Sequence, residues 1–132
     1  KDKFDSPHKK VIDRIKNDSN ILDLGCNNLS LGDSLTKVKN CKITAVDINP
    51  NDNYKNFIQY DLNLGLPDLD YQKFDYIFLL DVIEHLEDPE TFMKNLKKKI
   101  DKNEKIKLVI STPNIAFFIM RLLFYVDYQI YP

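Results

Sequence analysis

The chain has 132 residues and carries 19 Lys and Arg against 20 Asp and Glu, so its net charge of −1 excludes a basic module that captures nucleic acid through phosphates. A hydrophobic content of 43% with 3 glycines is typical of one folded domain with a single core. The 2 cysteines are too few for a disulfide framework and match no zinc spacing, which favours a reducing, cytoplasmic location.

The first half of the chain alternates segments of helical and strand periodicity. Ser6 and Pro7 begin an amphipathic helix that the apolar spacing extends to about Asn17. The following segments are, in order, a strand over 21–24, a helix with apolar residues at Leu31, Leu35 and Val38, and strands over 43–46 and 57–60. The first strand ends at Gly25, and the other two end at Asp47 and Asp61.

The second half continues this alternation. A strand over 74–80 is almost continuously apolar, as expected for a parallel strand with helices on both faces of its sheet. Asp88 and Pro89 begin a helix that ends near Ile100, and a strand over 106–110 follows it. The alternation predicts an α/β fold with a doubly wound, mostly parallel sheet, which binds ligands beyond the carboxyl ends of its strands.

A last apolar segment is predicted to form a helix that ends near Tyr125. It contains Arg121 and is shorter than the roughly 20 apolar residues that a bilayer span needs, so we expect no membrane span. The helix packs on the core in the simplest interpretation. The alternative is an exposed apolar face that makes a membrane contact or a homodimer contact.

Four carboxylates follow the predicted strands and are expected to share one edge of the sheet: Asp23, Asp47, Asp61 and Asp81. Asp47 follows Gly25 by 22 residues, a spacing that lets a carboxylate accept the ribose hydroxyls of a nucleoside bound over the first loop. The pattern therefore predicts an adenosine-like ligand, without separating NAD from S-adenosylmethionine. The alternative for each acid taken alone is the capping of a turn or helix.

The ordered motifs resemble those of class I S-adenosylmethionine-dependent methyltransferases. They lie at 21–26, 45–47, 60–63, 74–89 and 111–114, so the resemblance covers nearly the whole chain. It is closest to small methyltransferase domains found alone or joined to glycosyltransferases. It implies a Rossmann-like methyltransferase fold over residues 1–132, with further C-terminal strands that this sequence lacks, and methyl transfer to a small-molecule or saccharide acceptor.

The resemblance also implies which residues bind S-adenosylmethionine, whose product is S-adenosylhomocysteine. Asp23 would orient the first loop, and Asp47 would bind ribose. Asp61 would accept a hydrogen bond from the adenine amino group. Leu62 would pack on the adenine ring, and Leu80 and Asp81 would lie beside the sulfonium. The remaining cofactor-binding positions implied in this way are Gly25, Cys26, Asn27 and Ile48.

The first loop departs from the family pattern. Gly25 and Cys26 are followed by Asn27 and Asn28, and Leu29 stands where a third glycine is usual. Two positions of free backbone conformation are lost, although Asn tolerates the left-handed region better than a branched residue does. A non-catalytic binding or scaffold module is therefore the alternative function. A third hypothesis, an NAD-dependent oxidoreductase, lacks the Gly-x-Gly-x-x-Gly pattern.

Asp81, Glu84 and His85 are the candidate catalytic residues, because they place two carboxylates and an imidazole just after the fourth strand. Methyl transfer by direct displacement needs alignment of donor and acceptor and a base for the acceptor proton. The same three residues resemble part of a metal site. The further ligands that such a site needs cannot be placed in this chain, so we expect no metal.

Overall fold

A parallel sheet with helices on both faces forms the part of the chain that the computed structural model describes, residues 7–26, 30–113 and 116. The helices are α1 Pro7–Arg14, α2 Ser30–Lys39 and α3 Pro89–Ile100. The strands are β1 Asn20–Leu24, β2 Lys42–Asp47, β3 Asn56–Gln59, β4 Tyr76–Leu80 and β5 Lys107–Ser111. Short 3-10 turns lie at Leu62–Leu64, Tyr71–Lys73 and Ile83–His85.

The strand order is β3-β2-β1-β4-β5, and every neighbouring pair is parallel. Ile21 at the centre of the sheet is in register with Ile43 of β2 and Tyr76 of β4. The order reverses between β1 and β4, so the loops after these strands diverge and open a crevice at the carboxyl edge. The predicted α/β, doubly wound parallel sheet is confirmed.

Each face of the sheet buries its own apolar cluster because side chains alternate along a strand. Leu22, Leu24, Ile77 and Leu79 pack with Phe92, Met93 and Leu96 of α3. The opposite face of the sheet packs against α1 and α2. Its cluster contains Ile21, Ile43, Tyr76, Phe78 and Leu80 from the strands, with Leu31 and Leu35 from α2. All five residues of β4 are buried, which explains its unbroken apolar sequence.

The element boundaries agree with the sequence prediction to within about three residues, and one predicted core position is wrong. Val38 continues the helical spacing of Leu31 and Leu35, yet it is 68% exposed. The chain reverses at Asn40, where φ is 55°, and the buried Cys41 fills the end of the cluster beneath the last turn of α2. Cys41 therefore takes the place that the periodicity assigned to Val38.

The predicted helix after β5, and the homodimer contact through it, lie outside the described residues except for Ala116. Within the described ranges, no helix combines the length and apolar character needed to cross a membrane.

The α3 helix begins at a side-chain cap whose loss has a measurable cost. Oδ1 of Asp88 accepts a hydrogen bond from the backbone N of Thr91 at 3.1 Å, and Pro89 follows at the first helical position. We expect Asp88→Ala to lower the free energy of unfolding by about 1 kcal/mol in urea denaturation. Asp101→Ala is the control, because it removes a carboxylate from the other end of the helix, where the helix dipole disfavours it. Equal losses for the two variants would contradict the capping role.

Candidate functional site

A crevice of about 350 Å³ opens at the carboxyl edge of the sheet. The loops after β1 and β2 contribute Gly25, Asp47, Ile48 and Asn49 to its walls. The segment after β3 contributes Tyr60, Asp61, Leu62 and Asn63, and the loop after β4 contributes Asp81, Val82, His85 and Leu86. Four consecutive connections of the sheet therefore meet at one site, as expected for the switch point of a doubly wound fold.

Gly25 forms the floor of the crevice in a conformation that suits glycine. Its φ is +77°, and a Cβ at this position would lie 2.5 Å from Cγ2 of Val82. The backbone N atoms of Gly25 and Cys26 both donate to the carbonyl of Val46, at 2.7 and 3.1 Å. The loop after β1 is thus held to the end of β2, and its backbone at Gly25 lies directly against the Val82 side chain of the loop after β4.

Asp47 and Asp61 are each positioned by a hydrogen bond to the backbone two residues further on. Oδ1 of Asp47 accepts from the N of Asn49 at 2.9 Å. Oδ1 of Asp61 accepts from the N of Asn63, also at 2.9 Å, and so caps the 3-10 turn Leu62–Leu64. These local bonds fix both carboxylates at the crevice wall, where the turns after β2 and β3 begin.

Two apolar side chains line the wall between these carboxylates. Ile48 is 54% exposed and lines the crevice. Leu62 is buried in the apolar cluster that packs against α3. The wall therefore offers apolar surface as well as acceptors, which is the combination that a nucleoside needs.

Asp23 lies beneath the crevice, where its carboxyl is 1% exposed. In register it stands between Ala45 of β2 and Phe78 of β4, and its Oδ1 has no hydrogen-bond partner among the described residues. Burial, followed by the charge of Asp47, raises the pKa of Asp23 from 3.8 to about 7. The carboxyl is thus half ionised near neutral pH.

The neighbouring titratable groups remain neutral at that pH. Burial, with the negative charges of Asp23 and Asp47, raises the pKa of the Cys26 thiol to about 12, which makes it a poor nucleophile. Burial, again reinforced by these carboxylates, raises the pKa of the Tyr54 hydroxyl in the loop after β2. The ring of Tyr54 packs on Gly32, whose added Cβ would lie 2.8 Å from it.

The three candidate catalytic residues occupy the loop after β4. Asp81 has a φ of 55°, unusual for a residue other than glycine, and its Oδ1 accepts from Oγ of Ser111 at 3.3 Å. Nε2 of His85 lies 3.8 Å from Oε1 of Glu84. The His85 side chain is 77% exposed and reaches the crevice, whereas that of Glu84 is only 23% exposed.

The structure brings together seven of the residues predicted for the site in the crevice wall: Gly25, Asp47, Ile48, Asp61, Leu62, Asp81 and His85. Asp23 and Cys26 lie buried beneath it, Leu80 belongs to the cluster under α1 and α2, and Glu84 stands beside His85. Asn27 lies outside the described residues. In the described part of the chain, no group of three His, Cys, Asp or Glu side chains is arranged to hold a metal ion.

Sequence reasoning missed several wall residues: Asn49, Tyr60, Asn63, Val82 and Leu86. Tyr60 and Asn63 flank Asp61 and Leu62 in the motif at 60–63, and this adjacency could have identified them from the sequence. Val82 is different, because its contact with Gly25 joins two loops that are distant in sequence.

The parallel sheet with a crevice at its carboxyl edge is the Rossmann-like fold of S-adenosylmethionine-dependent methyltransferases. The family model described as "Methyltransferase domain" matches residues 2–129, and the chain belongs to that family. The class predicted from the motifs is therefore confirmed. No curated protein matches the chain.

Solved structures of low sequence identity share the fold. A SAM-dependent methyltransferase from Aquifex aeolicus is 18% identical with a TM-score of 0.65, over 96% of this chain and 81% of that one. Coclaurine N-methyltransferase, bound to N-methylheliamine and S-adenosylhomocysteine, is 20% identical with a TM-score of 0.55, over 83% of this chain. Phosphoethanolamine N-methyltransferase 2 from Haemonchus contortus is 13% identical with a TM-score of 0.53, over 86% of this chain. The chain spans 38% and 31% of these two N-methyltransferases.

Proposed function

We propose that the protein transfers a methyl group from S-adenosylmethionine to a small-molecule or saccharide acceptor. The observation that carries this proposal is the crevice itself, where Gly25, Asp47 and Asp61 meet the loop that carries Asp81 and His85. The family defines the donor, and the wall residues match the groups that the donor presents. The proposal assigns the adenosine part to the loops after β2 and β3 and the reacting end to the loop after β4.

The described residues fit an adenosine ligand. In this proposal Asp47 accepts hydrogen bonds from the ribose hydroxyls. Asp61 accepts a hydrogen bond from the adenine amino group, and Leu62 and Ile48 lie at the same wall. A Cβ at Gly25 would meet the Val82 side chain, so glycine allows the loops after β1 and β4 to come together at the crevice.

The reacting end of the crevice has two groups that are able to accept a proton. When bound, S-adenosylmethionine would supply an activated methyl group, whose carbon bonds to an acceptor oxygen or nitrogen as its bond to sulfur breaks and S-adenosylhomocysteine leaves. Asp81 holds its carboxylate beside the crevice through Ser111, and His85 presents its imidazole at the same wall. We assign the acceptor proton to the His85 imidazole, whose Nε2 lies 3.8 Å from Oε1 of Glu84.

The crevice favours a small acceptor over a large polyanion. Three carboxylates line it, Asp47, Asp61 and Asp81, and the described residues contribute no Lys or Arg to its wall. Such a wall repels phosphates, which agrees with the prediction from net charge that nucleic acid is not the partner. The ligands of the two N-methyltransferases above are likewise small molecules.

Two aspartates with the same local role provide a matched test of the donor site. Asp61 and Asp70 each cap a 3-10 turn through a hydrogen bond to the backbone two residues on, but only Asp61 lines the crevice. In calorimetric titration with S-adenosylmethionine, Asp61→Asn is expected to bind about tenfold or more weakly, because it loses a charge-assisted hydrogen bond. Asp70→Asn is expected to bind like the wild type. Equal affinities for all three proteins would contradict the assignment.

Transfer is tested separately from binding. S-adenosylhomocysteine formation is measured with panels of amines, phenols and saccharides, with His85→Gln as the comparison. Turnover that falls in His85→Gln while donor affinity is retained would support the assigned base. A protein that binds S-adenosylmethionine and turns over with none of these acceptors would favour the non-catalytic module that the replaced glycines at Asn27 and Leu29 suggest.

A further inference from the structure

One side chain joins two walls of the crevice that the sheet itself keeps apart. Oδ1 of Asn63, in the segment after β3, accepts a hydrogen bond from the backbone N of Glu87, in the loop after β4, at 2.9 Å. In the sheet, β2 and β1 lie between β3 and β4. Since neighbouring strands are about 4.8 Å apart, the ends of β3 and β4 are roughly 14 Å apart. The bond therefore links segments that strand pairing does not bring together.

Asn63 also holds the carboxylate that we assign to adenine. Its backbone N donates to Oδ1 of Asp61 at 2.9 Å, and Asn63 itself lines the crevice. Beneath the surface, Leu62 and Ile83 belong to the same apolar cluster, so the two segments share buried packing as well as the hydrogen bond. One residue thus binds the wall at the adenine end through its backbone and the wall at the reacting end through its side chain.

The loop after β4 is held at both ends by hydrogen bonds. At its start, the backbone N of Asp81 donates to the carbonyl of Ser111 at 2.8 Å. At its end, the backbone N of Glu87 donates to Asn63. His85 lies between these two bonds, and its side chain is 77% exposed. Because packing restrains so exposed a side chain little, the place of the imidazole depends mainly on the backbone of this loop.

We propose that Asn63 is a positioning residue for methyl transfer, which holds the loop that carries His85 at a fixed place relative to the turn that carries Asp61. This inference rests on the proposed function. Adenine bound beside Asp61 restrains the turn, and the bond from Glu87 to Asn63 passes that restraint to the loop after β4. Alignment of a base with the acceptor sets the rate of transfer, whereas donor affinity depends on the adenosine contacts.

Three variants separate this role from a general contribution to the fold. Asn63→Ala removes the side-chain acceptor but retains the backbone N–H that binds Asp61, and Asn63→Asp retains an acceptor oxygen for Glu87. Asn103→Ala is the control, because Oδ1 of Asn103 likewise accepts from a backbone N, that of Lys105 at 3.0 Å, at the opposite edge of the sheet. Glu87 is exposed, so water replaces the lost acceptor, and the urea midpoint of Asn63→Ala should stay close to that of the wild type.

Adenosine is the probe for the coupling, since it fills the adenine and ribose sites and lacks the reacting end of the donor. In nuclear magnetic resonance spectra of the wild type, adenosine should shift the imidazole resonances of His85 and slow the amide exchange of Glu87. The chain has 2 His, so the spectrum of His85→Gln assigns the signal. In Asn63→Ala, adenosine should still bind, the His85 shift should disappear, and the Glu87 amide should exchange about tenfold faster. Asn63→Asp should restore both responses, and Asn103→Ala should retain them.

Turnover provides the second readout. With the amine, phenol or saccharide of the panel above that is methylated fastest, Asn63→Ala should lower kcat about tenfold, while KM for S-adenosylmethionine changes less than about threefold. Asn63→Asp should recover most of the lost kcat. A matched fall in adenosine affinity and kcat would instead show a contact with the donor alone and would overturn the inference.

Two further results would contradict the coupling. A His85 shift that survives in Asn63→Ala would show that the restraint takes another path. If Asn63→Ala does not fold, a Glu87 amide that exchanges at the rate of an unprotected one in the wild type serves as the contradicting result. A wild type that binds neither adenosine nor S-adenosylmethionine would overturn the proposed function and this inference with it. Binding of both without any response at His85 would overturn this inference alone.

Discussion

Gly25→Ala is expected to lower the free energy of unfolding by about 3 kcal/mol and to weaken S-adenosylmethionine binding by about tenfold or more. Two effects combine at this position. The φ of +77° is unfavourable for alanine, and the new Cβ would lie 2.5 Å from Cγ2 of Val82, so one of the two loops must move. Because both loops line the crevice, the movement displaces groups that we assign to the donor. Urea denaturation and calorimetric titration measure the two losses.

Gly65 provides the control for backbone strain without a clash. Its φ is +116°, and an added Cβ would meet nothing within 4 Å. Gly65→Ala should therefore lower stability by about 1–2 kcal/mol while donor affinity stays close to that of the wild type. The double variant Gly25→Ala with Val82→Ala should recover the part of the loss that is due to the clash. Donor affinity that survives in Gly25→Ala would show that the floor of the crevice is not a ligand-contact surface.

Without ligand, the protein should become less stable as pH rises from about 4 to about 7. The pKa of Asp23 is raised in the folded state to about 7 from 3.8, so in this interval the folded state binds more protons than the unfolded state. At about 1.4 kcal/mol per pKa unit, this one carboxyl lowers the free energy of unfolding by about 4 kcal/mol over the interval. The loss levels off above pH 7, where Asp23 is ionised in both states.

Asp23→Asn tests this expectation, because the amide has nearly the same shape and does not ionise. At pH 8 the variant should be more stable than the wild type, although burial of the amide offsets part of the gain. At pH 4 the difference should vanish or reverse. Asp52→Asn, an exposed acid of the loop after β2, should follow the wild-type profile throughout. Parallel urea-denaturation profiles for all three proteins would contradict the linkage.

The fold was predictable because its signals are local. The apolar strands, the cap at Asp88 and the breakers between elements each depend on a few adjacent residues, and together they define an alternating parallel topology. The positions of Asp47 and Asp61 were equally predictable from the sequence, because an acid at the end of a parallel strand lies at the carboxyl edge of the sheet. Both residues line the crevice.

Features that depend on contacts distant in sequence were not predictable. The sequence marks Asp23 as one more acid at a strand end, but its burial depends on the neighbouring strands, where Ala45 and Phe78 are its register partners. Val38 fits the apolar spacing of α2, and only the path of the chain to Cys41 shows that the core ends before it. The approach of Val82 to Gly25 likewise needs the positions of two loops at once.

The two hydrogen bonds that the Val46 carbonyl accepts from Gly25 and Cys26 have a consequence for how this domain tolerates mutation. They tie the start of the first loop to the strand that carries Asp47, so these two parts of the crevice move as one rigid unit. We therefore expect sequence changes at positions 27–29, which follow this anchor, to leave Gly25 and Asp47 in place. The replacement of two usual glycines by Asn27 and Leu29 is the kind of drift that such an anchor permits.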